Sequence, residues 1–391
     1  MLLVANGRSG CSAGSSVVII GGGAAGFACA EMLRRRGYGG AITMLSADKD
    51  YPVDRPNLSK YFLAGEAEAA WMPLRSKSFY PKNNIDLKLN AVVDEIDLDG
   101  RKVVLKDGAS YDFDRLLIAT GANPVKLPIA GADQDHVFTL RSYQDSRDIV
   151  AAAEHAKSAV ILGSGFIGLE VAASLRQRDL EVHVVSMDQL PLEKVMGRYV
   201  GVFIKQLHES HEVKFHMQTT IDKIDANTVT LKDGSELPAE LVIIGVGVKP
   251  DTGLAEAAGL KVDKGILVNA ELESEIPGVF AAGDVARWND GKQTHRVEHW
   301  VVAERQGQIV AENMLGAQQK YVDAPFFWSA HYDVTIRYAG DGMGWDDASI
   351  EGDFLKHDAL VRYTKDGKLI AVAGIGRDAE VAKIATELRT L

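Results

Sequence analysis

The chain has 391 residues, 46% apolar and 25% charged, and a formal net charge of −11. This is the composition of a soluble globular protein with room for two to four domains. So acidic a chain is poorly matched to nucleic acid, whose binding rests on phosphate neutralisation. It holds no run of about 18 apolar residues to make a transmembrane helix.

Residues 1–16 carry five apolar residues before their one basic residue, Arg8, and read as a flexible tail without a secretory signal. Residues 17–20 are a continuous apolar run, followed by the glycine turn 21–26 and a helix over 27–36 that ends at Gly37. A strand follows at 42–45, then the Pro-bounded segment 52–60. The run 103–108 ends in Asp-Gly, a hairpin turn, and leads to the buried strand 116–119. The pattern then repeats. Strand 159–162, glycine turn 163–168 and a helix through Leu175 form a second copy, 142 residues after the first. Residues 229–234 and 241–250 repeat the hairpin and buried strand 126 residues on. A third short strand lies within 278–285, and a helix is predicted over 300–315. From Pro325 the texture changes to clustered aromatics and short strands at 360–363 and 369–375, with helical spacing over 378–391.

The fold class is therefore α/β, with two Rossmann-like dinucleotide-binding domains and a small α+β C-terminal domain. In the G-x-G-x-x-G turn, the first glycine permits the tight turn. The second lets the backbone approach a pyrophosphate, and the third brings helix and strand together. These positions are Gly21, Gly23 and Gly26 in one copy and Gly163, Gly165 and Gly168 in the other. The acidic residue expected about 20 positions on is displaced in both copies. Ser46 and Ser186 hold that position, with Asp48 and Asp188 two residues later. No arginine closely follows the second strand, which favours NADH over NADPH.

The two cysteines, Cys11 and Cys29, form no C-x-x-C pair, so a disulfide framework, a cysteine zinc site and a redox-active dithiol within the chain are excluded. A reducing cytoplasm fits this usage. His295, His299 and His331 have no metal-ligand spacing, and no metal is expected.

From about residue 17 to its C-terminus, the chain resembles the two-dinucleotide-binding-domain flavoproteins. Within them it is most similar to the oxygenase-coupled ferredoxin reductases and the apoptosis-inducing-factor-like reductases. The likeness rests on the two glycine turns, on Tyr51-Pro-Val-Asp-Arg-Pro-Asn-Leu-Ser-Lys60 and on Ala119-Thr120-Gly121. It also rests on Gly168-Leu-Glu170, Phe280-Ala-Ala-Gly283-Asp284, Val297-Glu298-His299-Trp300 with Gln306-Gly307, and Pro325-Phe-Phe-Trp328-Ser329.

The resemblance implies FAD in a discontinuous domain, 17–122 with 251–324, NAD(P)H in 123–250, and a C-terminal domain at 325–391. It implies that Asp284 holds the FAD ribityl chain, that Arg55 contacts FAD, and that Lys60, paired with Glu170 from the other domain, is a cation near flavin N5. The alternative for Glu170 is an acid in a helix's first turn, favoured by the helix dipole. Trp300 belongs near the flavin pyrimidine and Trp328 near the dimethylbenzene edge where electrons leave; for both, core packing is the alternative. Further cofactor contacts are implied for Ala119, Thr120, Gly121, Phe166, Ile167, Gly247, Gly283, Glu298 and His299.

The function so implied is an NADH:ferredoxin reductase with no redox-active disulfide. It would feed a [2Fe-2S] ferredoxin or Rieske-type protein of an oxygenase or P450 chain, as a monomer or homodimer. Two other readings stay open: a redox-responsive flavoprotein like apoptosis-inducing factor, and an NADH oxidase or quinone reductase without a protein acceptor.

Overall fold

The computed structural model describes residues 14–291, 293–342 and 344–388; Cys11 and most of the expected N-terminal tail lie outside them. The chain divides into two compact units. One comprises the chain up to Val53 with Pro73–Asn123 and Lys249–Asp323. The other comprises Asp54–Met72, Pro124–Val248 and the chain from Ala324 onward. The grouping differs from the four-part division expected from sequence. The segment Asp54–Met72 and the C-terminal residues both cluster with Pro124–Val248.

The first unit is built on a five-stranded parallel sheet. Its strand order is Val279–Ala281, Arg115–Ile118, Ser16–Ile20, Ala41–Leu45 and Ile85–Lys88. Residues 17–20 are buried throughout, as their unbroken apolar run demands of a parallel strand covered on both faces. The helix Ala24–Arg35 follows the glycine turn, starting three residues earlier than the apolar spacing suggested. It packs closely on the helix Trp300–Met314. A Cβ on Gly307 would lie 2.1 Å from the Ala25 carbonyl oxygen, so only glycine allows this approach. The Asp107-Gly108 turn closes a separate antiparallel sheet of Val93–Asp97, Lys102–Leu105 and Ser110–Asp112.

The second unit repeats the plan. Its main parallel sheet runs Lys214–Met217, Glu181–Ser186, Ser158–Leu162, Leu241–Ile244 and Val137–Phe138. Asp233-Gly234 turns a second three-stranded antiparallel sheet. The C-terminal segment forms a five-stranded antiparallel sheet ordered Phe326–His331, Val334–Gly340, Lys368–Ile375, Asp358–Lys365 and Asp347–Asp353. Alternate residues of its strands face opposite ways. Ala339, Leu360 and Val372 pack under the helix Asp378–Leu388. Tyr338, Val361 and Ala373 share a core with Met196, Val200 and Phe203 of the helix Glu193–Ser210. Tyr363 Oη adds a buried hydrogen bond to the Met196 carbonyl, 2.9 Å away. This shared core is why the C-terminal residues do not stand apart as a separate body.

Candidate functional site

Each glycine turn has the same construction. Gly21 has φ +112°, and a Cβ there would lie 2.1 Å from the Ala119 carbonyl oxygen. Gly163 has φ +120°, with the Gly245 oxygen 2.3 Å from such an atom. The third glycines are equally constrained: a Cβ on Gly26 would lie 2.0 Å from the Gly21 oxygen, and one on Gly168 would lie 2.2 Å from the Gly163 oxygen. The protein's own packing therefore demands glycine at four of the six positions. Gly165 is different. Its backbone is ordinary extended chain, φ −79° and ψ −178°, and a Cβ there meets nothing within 4 Å. Gly23 has matching dihedrals, φ −76° and ψ −167°. Both residues cap a helix without a side-chain cap or an acid in the first turn. The free N–H groups at each helix start are left for an anion. Glycine is a favoured N-cap, and at 165 it also leaves room for a group outside the chain to come close to the backbone.

The expected ribose positions behave differently in the two turns. Ser46 is buried, with its Oγ 2.7 Å from where a Gly22 Cβ would stand, and Asp48 is exposed. Ser186 is buried, accepting from Ser164 Oγ at 2.8 Å and from the Asp188 N–H at 3.2 Å. Asp188 pairs with the exposed Lys194 at 2.5 Å. In the first unit, Ala119 is buried, Thr120 Oγ1 donates to the Asp251 carbonyl at 2.7 Å, and Gly121 has φ +76°. The fully buried Gln306 accepts the Gly283 N–H at 2.8 Å. It thereby fixes the turn that carries Asp284, itself buried. Gln306 was named in sequence only as part of a motif; its work of pinning residue 283 shows only in three dimensions.

Trp300 opens its helix and packs half-buried against the first unit's core. His299 precedes it, and the exposed Glu298 pairs with Arg296. Arg55 opens the short helix Arg55–Ser59. In the second unit Phe166 packs edge-on against Phe327 with ring centroids 4.7 Å apart, Ile167 is exposed, and Gly247 has φ +104°.

Lys60 and Glu170 do meet, and both lie in the second unit rather than in two different domains. Lys60 Nζ is 2.8 Å from Glu170 Oε2, with the two side chains 8% and 4% exposed. Glu170 is the fifth residue of the helix Phe166–Arg176, past its first turn, so the helix dipole is not its role. A buried carboxylate must be met by donors. Ser59 Oγ donates to Oε2 at 2.5 Å and Ser329 Oγ to Oε1 at 2.6 Å. Lys60 also donates to the Pro56 carbonyl at 3.0 Å. Ser174, one turn beyond Glu170, donates to the Ser59 carbonyl at 2.8 Å and so holds the lysine segment against the helix.

Along the strand Phe326–His331, the alternation places Phe327, Ser329 and His331 toward that helix and Trp328 on the other face. His331 Nε2 is 3.0 Å from Ser329 Oγ, and His208 Nε2 is 3.2 Å from His331 Nδ1. Burial pushes His331 well below the usual imidazole range, assisted by His208 and Lys60. Burial, with His211 nearby, pushes His208 down to about 3. The sequence reading passed over both, considering His331 only as a metal ligand. The spacing of residues 327, 329 and 331 was the available signal for one; nothing local marked His208.

Two predictions follow from this geometry. Gly165→Ala should destabilise by no more than about 1 kcal/mol, the loss of a favoured N-cap, and weaken nucleotide binding. Gly168→Ala should destabilise by about 1–3 kcal/mol through its clash with the Gly163 carbonyl. Thermal melts with nucleotide titrations separate the two, and a Gly165→Ala protein that binds nucleotide normally would refute the role given to residue 165. The second concerns pH. His208 and His331 are neutral when folded but take up protons in the unfolded chain below about pH 6.5. Stability from these groups is therefore full above that pH and falls with acid, approaching about 1.4 kcal/mol per pH unit for each histidine. Chemical denaturation from pH 7 to 5 should show a shallower loss in His208→Gln than in the parent.

Comparison with known proteins agrees with this construction. The family model described as pyridine nucleotide-disulphide oxidoreductase matches residues 15–307, and a reductase C-terminal model matches 326–388. The chain is 35% identical over 391 residues to apoptosis-inducing factor 3 of Mus musculus. That match covers 97% of this chain but only 64% of the relative, so the chain spans under two thirds of that protein's length. It is 33% identical to putidaredoxin reductase of Pseudomonas putida, covering 94% of this chain and 90% of that one. The crystal structure of the covalent putidaredoxin reductase–putidaredoxin complex superposes with a TM-score of 0.93 at 32% identity, covering 97% of this chain and 94% of that chain. With its two matching glycine turns each set between a parallel strand and a helix, the chain belongs to the pyridine nucleotide-disulphide oxidoreductase family.

Proposed function

We propose that this protein is an FAD-dependent reductase that draws electrons from NADH and delivers them to a small iron–sulfur protein of the ferredoxin or Rieske type. The observation that carries this reading is the pair of glycine turns of one construction, one in each unit, with the middle glycine at 165 unexplained by the protein's own packing. Two turns suit two dinucleotides. In this reading Gly21, Gly23, Gly26, Ser46, Asp48, Ala119, Thr120, Gly121, Gly283 and Asp284 hold FAD, with Arg55, Glu298 and His299 contributing. Gly163, Gly165, Phe166, Ile167, Gly168, Ser186, Asp188 and Gly247 hold the nicotinamide nucleotide. Bound FAD supplies hydride acceptance and release of single electrons. Asp284 would accept a ribityl hydroxyl, a charge-assisted bond that offsets its burial.

Lys60 is the cation turned toward the flavin in this reading. Glu170, Ser59 and the Pro56 carbonyl fix its ammonium in place. A fixed positive charge stabilises negative charge that develops near it, and does so strongly where water is excluded. Trp300 and Trp328 would shield the reacting centre and the route of electron exit. An iron–sulfur acceptor is supported by the likeness to a reductase solved in complex with putidaredoxin. It is also supported by the sequence, whose two cysteines form no dithiol to pass electrons to a disulfide. The same cysteine usage supports a reducing, cytoplasmic setting.

NADH-dependent reduction of cytochrome c should be fast, salt-sensitive and dependent on added [2Fe-2S] ferredoxin. Rapid turnover with oxygen or quinone alone would instead support an oxidase or quinone reductase. A long-lived reduced state that oxygen discharges slowly, with ferredoxin giving no acceleration, would support a redox-responsive protein like apoptosis-inducing factor. For the nucleotide, Asp188 suits a ribose diol, and no arginine closely follows the second strand to clamp a 2′-phosphate. The ratio of kcat/KM values should favour NADH. A tenfold preference for NADPH, about 1.4 kcal/mol, would overturn that choice.

A further inference from the structure

His208, His331 and Ser329 belong to neither glycine turn, yet all three are fully buried and hydrogen-bonded in line toward Glu170. The direction of this line follows from its end. An ionised carboxylate can only accept, so the proton between Ser329 Oγ and Glu170 Oε1, 2.6 Å apart, is the serine's. Ser329 then has none to give His331, and their 3.0 Å contact requires His331 Nε2–H to donate to Ser329 Oγ. A neutral imidazole carries one proton. His331 Nδ1 is therefore the acceptor, and His208 Nε2–H donates to it across 3.2 Å. This leaves His208 Nδ1 a bare acceptor. It is a buried atom without a hydrogen-bond partner, as the direction of the line requires.

The surroundings keep the line neutral. Lys60 and His211 act on the two rings and oppose a further positive charge. The rings of Phe215 and Tyr332 meet His208 edge-on, at 6.1 and 5.2 Å between centroids.

We propose that Ser329, His331 and His208 are positioning residues: a one-way chain of donors that fixes Glu170 Oε1 and leaves Oε2 for the Lys60 ammonium. Without the donor from His331, the Ser329 hydroxyl is free to turn to another rotamer. Glu170 then loses the contact that sets its carboxylate plane, and Lys60 is held less firmly, by the Pro56 carbonyl and Ser59. The inference rests on the reading above in which Lys60 faces the flavin, but the state of the chain can be read without it.

The first measurement is nitrogen NMR of histidine-labelled full-length protein between pH 8 and 5. Loss of a signal in His208→Gln or His331→Gln assigns each ring. Both rings should be neutral and in the Nε2–H tautomer throughout. An Nδ1–H tautomer or a charged ring above pH 5 in either overturns the chain. The second measurement is the reduction equilibrium of the flavin in the holoenzyme. Ser329→Ala and His331→Leu should shift it at least threefold in the same direction as Lys60→Met, about 14 mV at 29.6 mV per tenfold change for two electrons. His331→Gln, which keeps a donor at the Nε2 position, should leave the equilibrium close to the parent's. If Lys60→Met moves the equilibrium and Ser329→Ala and His331→Leu do not, the positioning role is refuted. If Lys60→Met also leaves it unmoved, the placement of the Lys60–Glu170 pair at the flavin fails, and the inference fails with it.

Discussion

A carboxylate taken out of water has to be met by donors, and in this protein that requirement organises the second unit. Glu170 is reached by Lys60 and Ser59 from one stretch of chain and by Ser329 from another, separations of 111 residues for Ser59 and 159 for Ser329. Desolvation of an unpaired carboxylate costs several kcal/mol, and removing one partner of a buried pair is strongly destabilising. The three chain segments therefore meet around this group, alongside the apolar core that joins the C-terminal sheet to the helix Glu193–Ser210. Ser174 reinforces the arrangement by binding the backbone of the lysine segment rather than its side chain.

The parts legible in the sequence were those whose signal is local. The runs 17–20 and 159–162 are buried strands of parallel sheets, and their apolar residues are consecutive, so each announces itself. The Asp-Gly turns at 107–108 and 233–234 marked two of the three-stranded antiparallel sheets for the same reason. What escaped depends on distant partners. The resemblance paired Glu170 with Lys60, but the donor Ser329, 159 residues away, had no local signal. His208 lies 123 residues from His331, and no spacing rule joins them. The C-terminal strands alternate as a two-faced sheet should, but which helices cover those faces could not be read from 325–391 alone.

The family takes its name from disulphide chemistry, and this chain is built without the thiols for it. Cys29 is buried in the helix Ala24–Arg35, where it packs as a small apolar residue among Ala25, Ala30 and Leu33. Its helix presses on Trp300–Met314 so closely that Gly307 has no room for a methyl group. A residue in that position serves helix packing. The buried Lys60 and Glu170 and the hydroxyls of Ser59 and Ser329 form one connected polar set in the second unit.

Glycines in a nucleotide-binding turn are often read as one motif, but here they divide by cause. Gly21, Gly26, Gly163 and Gly168 face carbonyl oxygens that no Cβ could approach, so a fold of this shape needs them whether or not it binds anything. They testify to architecture. Gly165 faces open space from an ordinary backbone conformation, and a Cβ there would meet nothing within 4 Å. Glycine even tends to weaken a chain through its backbone entropy. The helix behind it starts with uncapped N–H groups and no acidic side chain, an arrangement that favours an anion. Function is therefore written less in the motif as a whole than in the one glycine whose absence of contacts leaves room for a ligand.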